Sequence, residues 1–288
     1  MRVAFLGLGV MGAPMAGHIA AKGFDLSVWN RTGAKAEAFA AAHRAHIAAT
    51  PGEAASGADA ILTCLGDDPD IEAVLLAALP SVKADALAVD HSTSSPDLAR
   101  RLAATYAARG ASFVDAPVSG GEAGAKAGSL SVMCGGEASA VDRARPVLAS
   151  YAARVVHVGP SGHGQLAKAV NQICIAGLLE GLAEGVHFAK TAGLDIDRVL
   201  EAISGGAARS WQMENRAKTM AEGSFDFGFA VDWMRKDLRI ALAEARRTGA
   251  QLPVTALVDQ FYAELQAMGG GRHDTSSLIK RLKTTPDR

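Results

Sequence analysis

The chain is short of cysteine, of net charge and of uninterrupted apolar stretches. Its 288 residues include three cysteines, Cys64, Cys134 and Cys174, far apart and odd in number. They form no Cys-x-x-Cys pair and no metal-ligand spacing surrounds them, so neither a disulfide framework nor a metal site is indicated. They read as small buried hydrophobes in a reducing compartment. The formal net charge of −1 suggests neither nucleic acid nor an anionic membrane as a partner. No apolar run approaches the roughly 20 residues that cross a bilayer. The N-terminus enters a strand pattern directly, with no signal-peptide organisation before it. There is no internal repeat, and no low-complexity segment beyond a general enrichment in alanine. The expectation is a soluble, cytoplasmic protein with no nucleic-acid or membrane partner.

What is present is a core-forming composition, 49% hydrophobic, on a chain long enough for two domains. The first half alternates strand and helix signals. Strands are expected at 2–6, 25–29, 60–65, 87–90 and 112–115, and further ones at 132–134 and 155–158. Between them lie helix-length segments at 12–22, 35–43, 69–79 and 96–109. Such alternation implies parallel strands with helical crossovers. After about Gly164 the strand signals stop. Helical patterns follow at 166–193, 197–204, 211–222, 231–248 and 253–268, with a short final one at 276–282. The fold expected is an α/β N-terminal domain of the Rossmann type, residues 1–161, and an all-α C-terminal domain, residues 162–288, joined by the long helix. The small residues of "VGPSGHGQ", 158–165, suit a hinge-like join.

"VAFLGLGVMGAPMA", residues 3–16, places Gly7-x-Gly9-x-x-Gly12 between the first strand and the first helix. In that context Gly7 permits the tight turn, Gly9 lets a pyrophosphate approach the backbone, and Gly12 lets helix and strand pack closely. The helix start offers free N–H groups and partial positive charge to the phosphates. Gly7, Leu8, Gly9, Val10, Met11 and Gly12 are therefore candidate dinucleotide-binding residues. The second strand ends in "VWNRTGAK", with Asn30 where NAD-preferring folds place an acid for the ribose. Arg31 can grip a 2′-phosphate through its planar fork, Thr32 can add a hydroxyl, and Lys35 follows. NADP is expected over NAD, although Arg31 and Lys35 also suit a plain solvated helix start.

In "DAPVSGGEAGAKAGSL", residues 115–130, Ser119, Gly120 and Gly121 can offer a hydroxyl and successive N–H groups to a carboxylate. The same composition also suits a flexible glycine loop. In "GPSGHGQLAKAVNQ", residues 159–172, Lys168 and Asn171 are spaced to share one helix face. Leu166, Ala169, Val170 and Ile173 make the surroundings apolar, which disfavours a charged lysine and suits it to acid–base work. Snorkelling to water from the helix edge is the bland alternative.

Three blocks, 7–15, 115–130 and 159–172, resemble the β-hydroxyacid dehydrogenase family, which includes 3-hydroxyisobutyrate dehydrogenase, tartronate semialdehyde reductase and glyoxylate/succinic semialdehyde reductases. The likeness extends to "MRKDLRIAL", 234–242. It implies that Lys168 is catalytic, that Ser119 and Gly120 hold the substrate carboxylate, and that Asn171 contacts substrate. It also implies that Thr93 of "DHSTSSP" touches the cofactor, that Lys236 and Asp237 lie near the nicotinamide, and that Phe229 walls the pocket. Leu65, closing the third expected strand, joins the cofactor-binding set, and Asp237 and Phe229 are counted with the substrate. His163 departs from the family pattern and reads as an exposed loop residue. Residues 122–126 fit neither the hydroxyisobutyrate nor the tartronate form.

The expected activity is hydride transfer between NADP(H) and a small hydroxy acid or carboxylated aldehyde. Imine reduction and a catalytically silent dinucleotide-binding module are the rivals, and Lys168 argues against both. Trp211, Met213, Phe229 and Trp233 are pocket or core candidates. An Ala/Leu-rich long helix needs burial, which suggests a homodimer or homotetramer.

Overall fold

In a computed structural model, which describes residues 1–282, the chain divides into two compact units, Met1–Lys168 and one beginning at Ala169. The first unit runs β1 (Arg2–Leu6), α1 (Gly12–Ala21), β2 (Asp25–Trp29), α2 (Gly33–Ala42), β3 (His46–Ile47), α3 (Pro51–Ala55), β4 (Ala60–Thr63), α4 (Asp68–Ala78), β5 (Leu87–Asp90), α5 (Pro96–Ala107) and β6 (Ser112–Asp115). It continues through β7 (Val118–Ser119), α6 (Gly121–Ala127), β8 (Leu130–Gly135), α7 (Ala138–Leu148) and β9 (Ala152–Gly159) into α8 (His163–Thr191), in which the second unit begins.

The sheet order is β3-β2-β1-β4-β5-β6-β8-β7, with β9 paired to β8. β1 to β6 are parallel, in the doubly wound order. β1 shows why these strands are apolar throughout. Val3 and Phe5 enter one core with Met15 and Ile19 of α1, while Ala4 and Leu6 enter a second with Leu75 of α4 and Leu98 of α5. Both faces are covered, so no polar alternation survives. The chain leaves β1 toward β2 on one side and β4 on the other, and the C-terminal ends of β1 and β4 flank this switch point.

Several expectations need correction. β8 runs antiparallel to β6 and β7, so alternation did not make every pair parallel. α3 has no counterpart among the expected helices, although Thr50 accepts from Glu53 N while the Glu53 carboxylate accepts from Ala49 N, a reciprocal cap written in the sequence. α7 carries buried Ala140, Val141, Ala144, Val147 and Leu148 at helical spacing, hidden by Pro146 in its last turn. Residues 121–127 form a helix rather than a flexible loop. Cys134 is buried, but Cys174 is exposed.

The second unit adds α9 (Ile196–Ile203), α10 (Trp211–Glu222), α11 (Val231–Thr248) and α12 (Pro253–Ala267). The final segment, Thr275–Arg281, is 3-10 rather than α-helical, and residues 283–288 of the C-terminal domain expected from sequence lie outside the described residues. Ala176, Leu179, Ala183 and Val186 of α8 pack with Met234, Leu238, Val258, Tyr262, Leu265 and Leu278. α8 is long and apolar enough by length and composition to cross a membrane, contrary to the reading of its apolar runs. It nevertheless carries Lys168, Glu180 and Glu184, and Glu180 pairs with Arg281 at 3.3 Å. Met213 is core, whereas Trp211 and Trp233 are exposed.

Candidate active site

The three glycines after β1 answer to different constraints. Gly7 has φ +105°, and a Cβ there would strike the Cys64 carbonyl; one on Gly12 would strike the Gly7 carbonyl. A Cβ on Gly9 would meet nothing within 4 Å. The protein itself requires Gly7 and Gly12, whereas Gly9 leaves open space beside the backbone. α1 begins there with no side-chain cap and no acid in its first turn, so its N–H groups and partial positive charge are offered outward. Such a turn fits the pyrophosphate of a dinucleotide. Val10 is exposed, Met11 packs partly against the core, and Leu8 is buried beneath the turn.

Asn30 stitches this turn together. Its Oδ1 accepts from Leu8 N at 2.9 Å, and its Nδ2 donates to Thr32 O at 2.9 Å. Arg31 projects beside it, its side chain 81% exposed, donating to Asp70 at 2.8 Å. Thr32 precedes α2 without capping it, and Lys35 lies in the exposed first turn of that helix. Leu65 N donates to Ser92 Oγ at 2.8 Å, and the Leu65 side chain reaches within 2.8 Å of where a Gly7 Cβ would stand. Thr93 sits between Ser92 and Ser94, which are both buried.

Two carboxylates that sequence reasoning passed over close β5 and β6, side by side in register. Asp90 accepts from Thr63 Oγ1 at 2.7 Å and from Ser92 Oγ at 2.6 Å. Asp115 accepts from Gly162 N at 2.7 Å and Gln165 N at 3.0 Å. Burial pushes each carboxyl up to about 6, against the pull of these donors. Next to Asp90, His91 is held between Ala116 O and the Tyr151 hydroxyl at 2.8 and 2.7 Å. Ala116 O can only accept, so Nδ1 carries the proton and Nε2 accepts from Tyr151. Burial pushes this imidazole down to about 4, keeping it neutral. The sequence signal was an acid ending each of two apolar strands, "LAVD" and "SFVD".

Lys168 is 8% exposed and donates from Nζ to Val118 O at 3.0 Å. It is buried, not snorkelling. Val118 directly precedes Ser119, Gly120 and Gly121, and the two glycines have φ +129° and +60°. Positive φ at both turns the chain sharply into α6, a path that residues with a Cβ follow only under strain. The segment 158–165 is no loose join. A Cβ on Gly164 would stand 2.8 Å from Asp115 Oδ2, so the glycine there serves close packing. His163 is half-buried as the first residue of α8 rather than lying in a loop. Val170, expected on the apolar face, is exposed.

In the second unit Asn171 donates to Gln172 Oε1 at 2.8 Å, and Gln172 Nε2 donates to Asp237 at 2.6 Å. Lys236 Nζ lies 3.3 Å from Asp237 Oδ1 and 5.7 Å from the Trp233 ring centroid. Asn171, Lys236 and Asp237 are thus joined through Gln172, which sequence reasoning did not single out. Phe229 is exposed, its backbone N–H held by the buried Asp274 at 3.0 Å.

A doubly wound sheet whose switch point carries this glycine turn defines a dinucleotide-binding domain. Residues 2–159 match the family model for the NAD-binding domain of 6-phosphogluconate dehydrogenase, and residues 162–282 that for the NAD-binding region of NADP-dependent 3-hydroxyisobutyrate dehydrogenase. The chain is 56% identical over 285 residues to an uncharacterised oxidoreductase of Shewanella frigidimarina, covering 98% of each. It is 34% identical to 2-hydroxy-3-oxopropionate reductase of Escherichia coli, covering 98% of this chain and 97% of that one. The solved structure of Mycobacterium tuberculosis 3-hydroxyisobutyrate dehydrogenase with L-serine superposes with a TM-score of 0.90 at 31% identity, covering 99% of this chain and all of that one. The chain belongs to the β-hydroxyacid dehydrogenase family, NAD(P)-dependent oxidoreductases of small hydroxy acids.

Proposed function

We propose that the protein is an NADP-preferring reductase of small carboxylated aldehydes or ketones, acting in reverse on the corresponding 3-hydroxy acids. One observation carries the chemistry: a buried lysine whose Nζ is held at Val118 O, directly before the Ser119-Gly120-Gly121 turn. When bound, NADPH supplies a hydride to the substrate's carbonyl carbon. Lys168 then gives a proton to the oxygen that becomes the hydroxyl and stabilises its developing charge. The Ser119 hydroxyl and the turn's N–H groups hold the substrate carboxylate and orient the carbonyl. Gly7 to Gly12 hold the pyrophosphate, with Leu65 and Thr93 beside them, and Asn171, Phe229, Lys236 and Asp237 complete the candidate set.

The NADP preference rests on Asn30 standing where an acid would bind the ribose hydroxyl, with Arg31 and Thr32 directly after it. Arg31 is paired with a single exposed carboxylate, a contact worth about 0–1 kcal/mol, so a 2′-phosphate displaces Asp70 cheaply. Exposed Val170, Cys174, Leu178 and Phe188 along α8 support a homodimer or homotetramer. The free cysteines support a reducing, cytoplasmic setting.

The test is steady-state NADPH oxidation with semialdehyde acids, their uncharged aldehyde analogues and cyclic imines. A carboxylated aldehyde should exceed its uncharged analogue by about 30-fold or more in kcat/KM, because the charge-assisted hydrogen bonds from Ser119 and the turn's N–H groups would be lost. Equal turnover of both would overturn the carboxylate assignment. Preference for imines would favour imine reduction, and cofactor binding without turnover would favour the silent module.

A further inference from the structure

We propose that Asp115 is a positioning residue for Lys168: it anchors the first turn of α8 to the sheet, while Gln165 ties the Ser92–Ser94 loop to that same turn. The proposal rests on Lys168 being the proton donor. A helix start presents N–H groups with no intrahelical partner, usually capped by a side chain just before it. Here the capping carboxylate comes from the end of β6, and its two oxygens take Gly162 N and Gln165 N. Asp115 is fully buried. A Cβ on Gly135 would stand 2.6 Å from Asp115 Oδ1, so glycine at 135, as at 164, makes room for the carboxylate.

The anchor closes a ring. From Asp115 the chain runs through Pro117 to Val118, whose carbonyl accepts from Lys168 Nζ. From Gln165, one helical turn leads to Lys168. Lys168 is therefore held at both ends, its backbone by Asp115 through α8 and its ammonium by the strand that follows Asp115. Gln165 adds the second tie, accepting from Ser94 N at 3.1 Å and donating to Ser92 O at 2.8 Å. The loop carrying Thr93 is thereby fixed to the same helical turn that sets the lysine. A frayed first turn would rotate and shift Lys168 relative to Ser119, which is costly where proton transfer needs near-contact geometry.

The test compares Asp115→Asn, Gln165→Leu and Lys168→Ala with the wild type. Asp115→Asn keeps the volume but turns an amide NH2 toward one of two N–H donors. Its kcat should fall about tenfold or more, a larger effect than any weakening of NADPH binding through the loop that Gln165 ties to this turn. In cofactor-free protein, hydrogen exchange at Gly162 and Gln165 should quicken about tenfold or more. Combining Asp115→Asn with Lys168→Ala should lower kcat no further than Lys168→Ala alone. Tyr106→Phe, which removes a buried bond to Leu75 O elsewhere in the first unit, should lower Tm and leave kcat unchanged. Should Asp115→Asn fail to fold, Gln165→Leu retains the carboxylate and should raise the NADPH KM about tenfold with a smaller change in kcat. A folded Asp115→Asn with wild-type kcat or unchanged exchange overturns the proposal, as does an unchanged KM in Gln165→Leu. If Lys168→Ala keeps its kcat, the proton-donor reading falls and takes the proposal with it. If Lys168→Ala is crippled while Asp115→Asn is not, only the proposal falls.

Discussion

Replacing each glycine of the β1–α1 turn by alanine separates what the fold needs from what the cofactor needs. At Gly9 the added methyl meets nothing within 4 Å and φ is not positive, so the free protein accommodates it. Stability should hold or rise by about 0.4–1 kcal/mol, through loss of freedom in the unfolded chain. The same methyl stands where a pyrophosphate approaches the N–H groups at the start of α1. A charge-assisted hydrogen bond contributes about 1.5–3 kcal/mol, so losing two weakens NADPH binding by about 10²- to 10⁴-fold. At Gly12 the methyl strikes the Gly7 carbonyl, and α1 must move off β1. That overpacking costs about 1–3 kcal/mol or more before any ligand is added. The assay is a thermal melt of the three cofactor-free variants beside a fluorescence titration with NADPH. Gly9→Ala should match the wild type in the melt and fail in the titration, whereas Gly12→Ala and Gly7→Ala should already fail in the melt. Wild-type NADPH affinity in Gly9→Ala, or a melt as low as that of Gly12→Ala, would refute the reasoning.

Three further outcomes are expected. Lys168→Ala should lower kcat about 10²- to 10⁴-fold with little change in NADPH affinity, and Lys168→Arg should recover little because guanidinium holds its proton too tightly; paired kinetics and titration check this. Asp70→Asn should tighten NADPH several-fold and leave NADH unchanged, since Asp70 both holds Arg31 and repels a phosphate, while Arg31→Ala should weaken NADPH alone; binding of adenosine 2′,5′-bisphosphate against AMP reads the same contrast without turnover. Asp90, pushed up to about 6 from 3.8, takes up its proton more readily folded than unfolded, so its burial penalty of about 3 kcal/mol is present above pH 6 and disappears as pH falls toward 4. Asp90→Asn should therefore gain stability over the wild type at pH 7 and lose that advantage at pH 4.5. A difference that does not vary with pH, measured by denaturant unfolding, would contradict this.

The sequence alone determined the parts governed by neighbours along the chain. Strand–glycine–helix order placed the dinucleotide turn, because turn and helix start are local conformations. Helical spacing in 166–193 located the long helix carrying Lys168, because a periodicity of 3.6 needs no partner to be read. Tertiary structure decided what depends on distant partners. That Asp115 anchors α8 turns on 47 residues of separation between Asp115 and Gly162, and that Gln172 joins Asn171 to Asp237 on another 65. Spacing carries no information across such gaps; only packing brings the donors and acceptors together. Gly164 reads from sequence as part of a hinge-like join, yet the fold makes it, with Gly135, a close contact around a buried carboxylate. β8 reads as one more strand, but its direction is set by which open edge of the sheet it reaches, a choice its own residues do not encode.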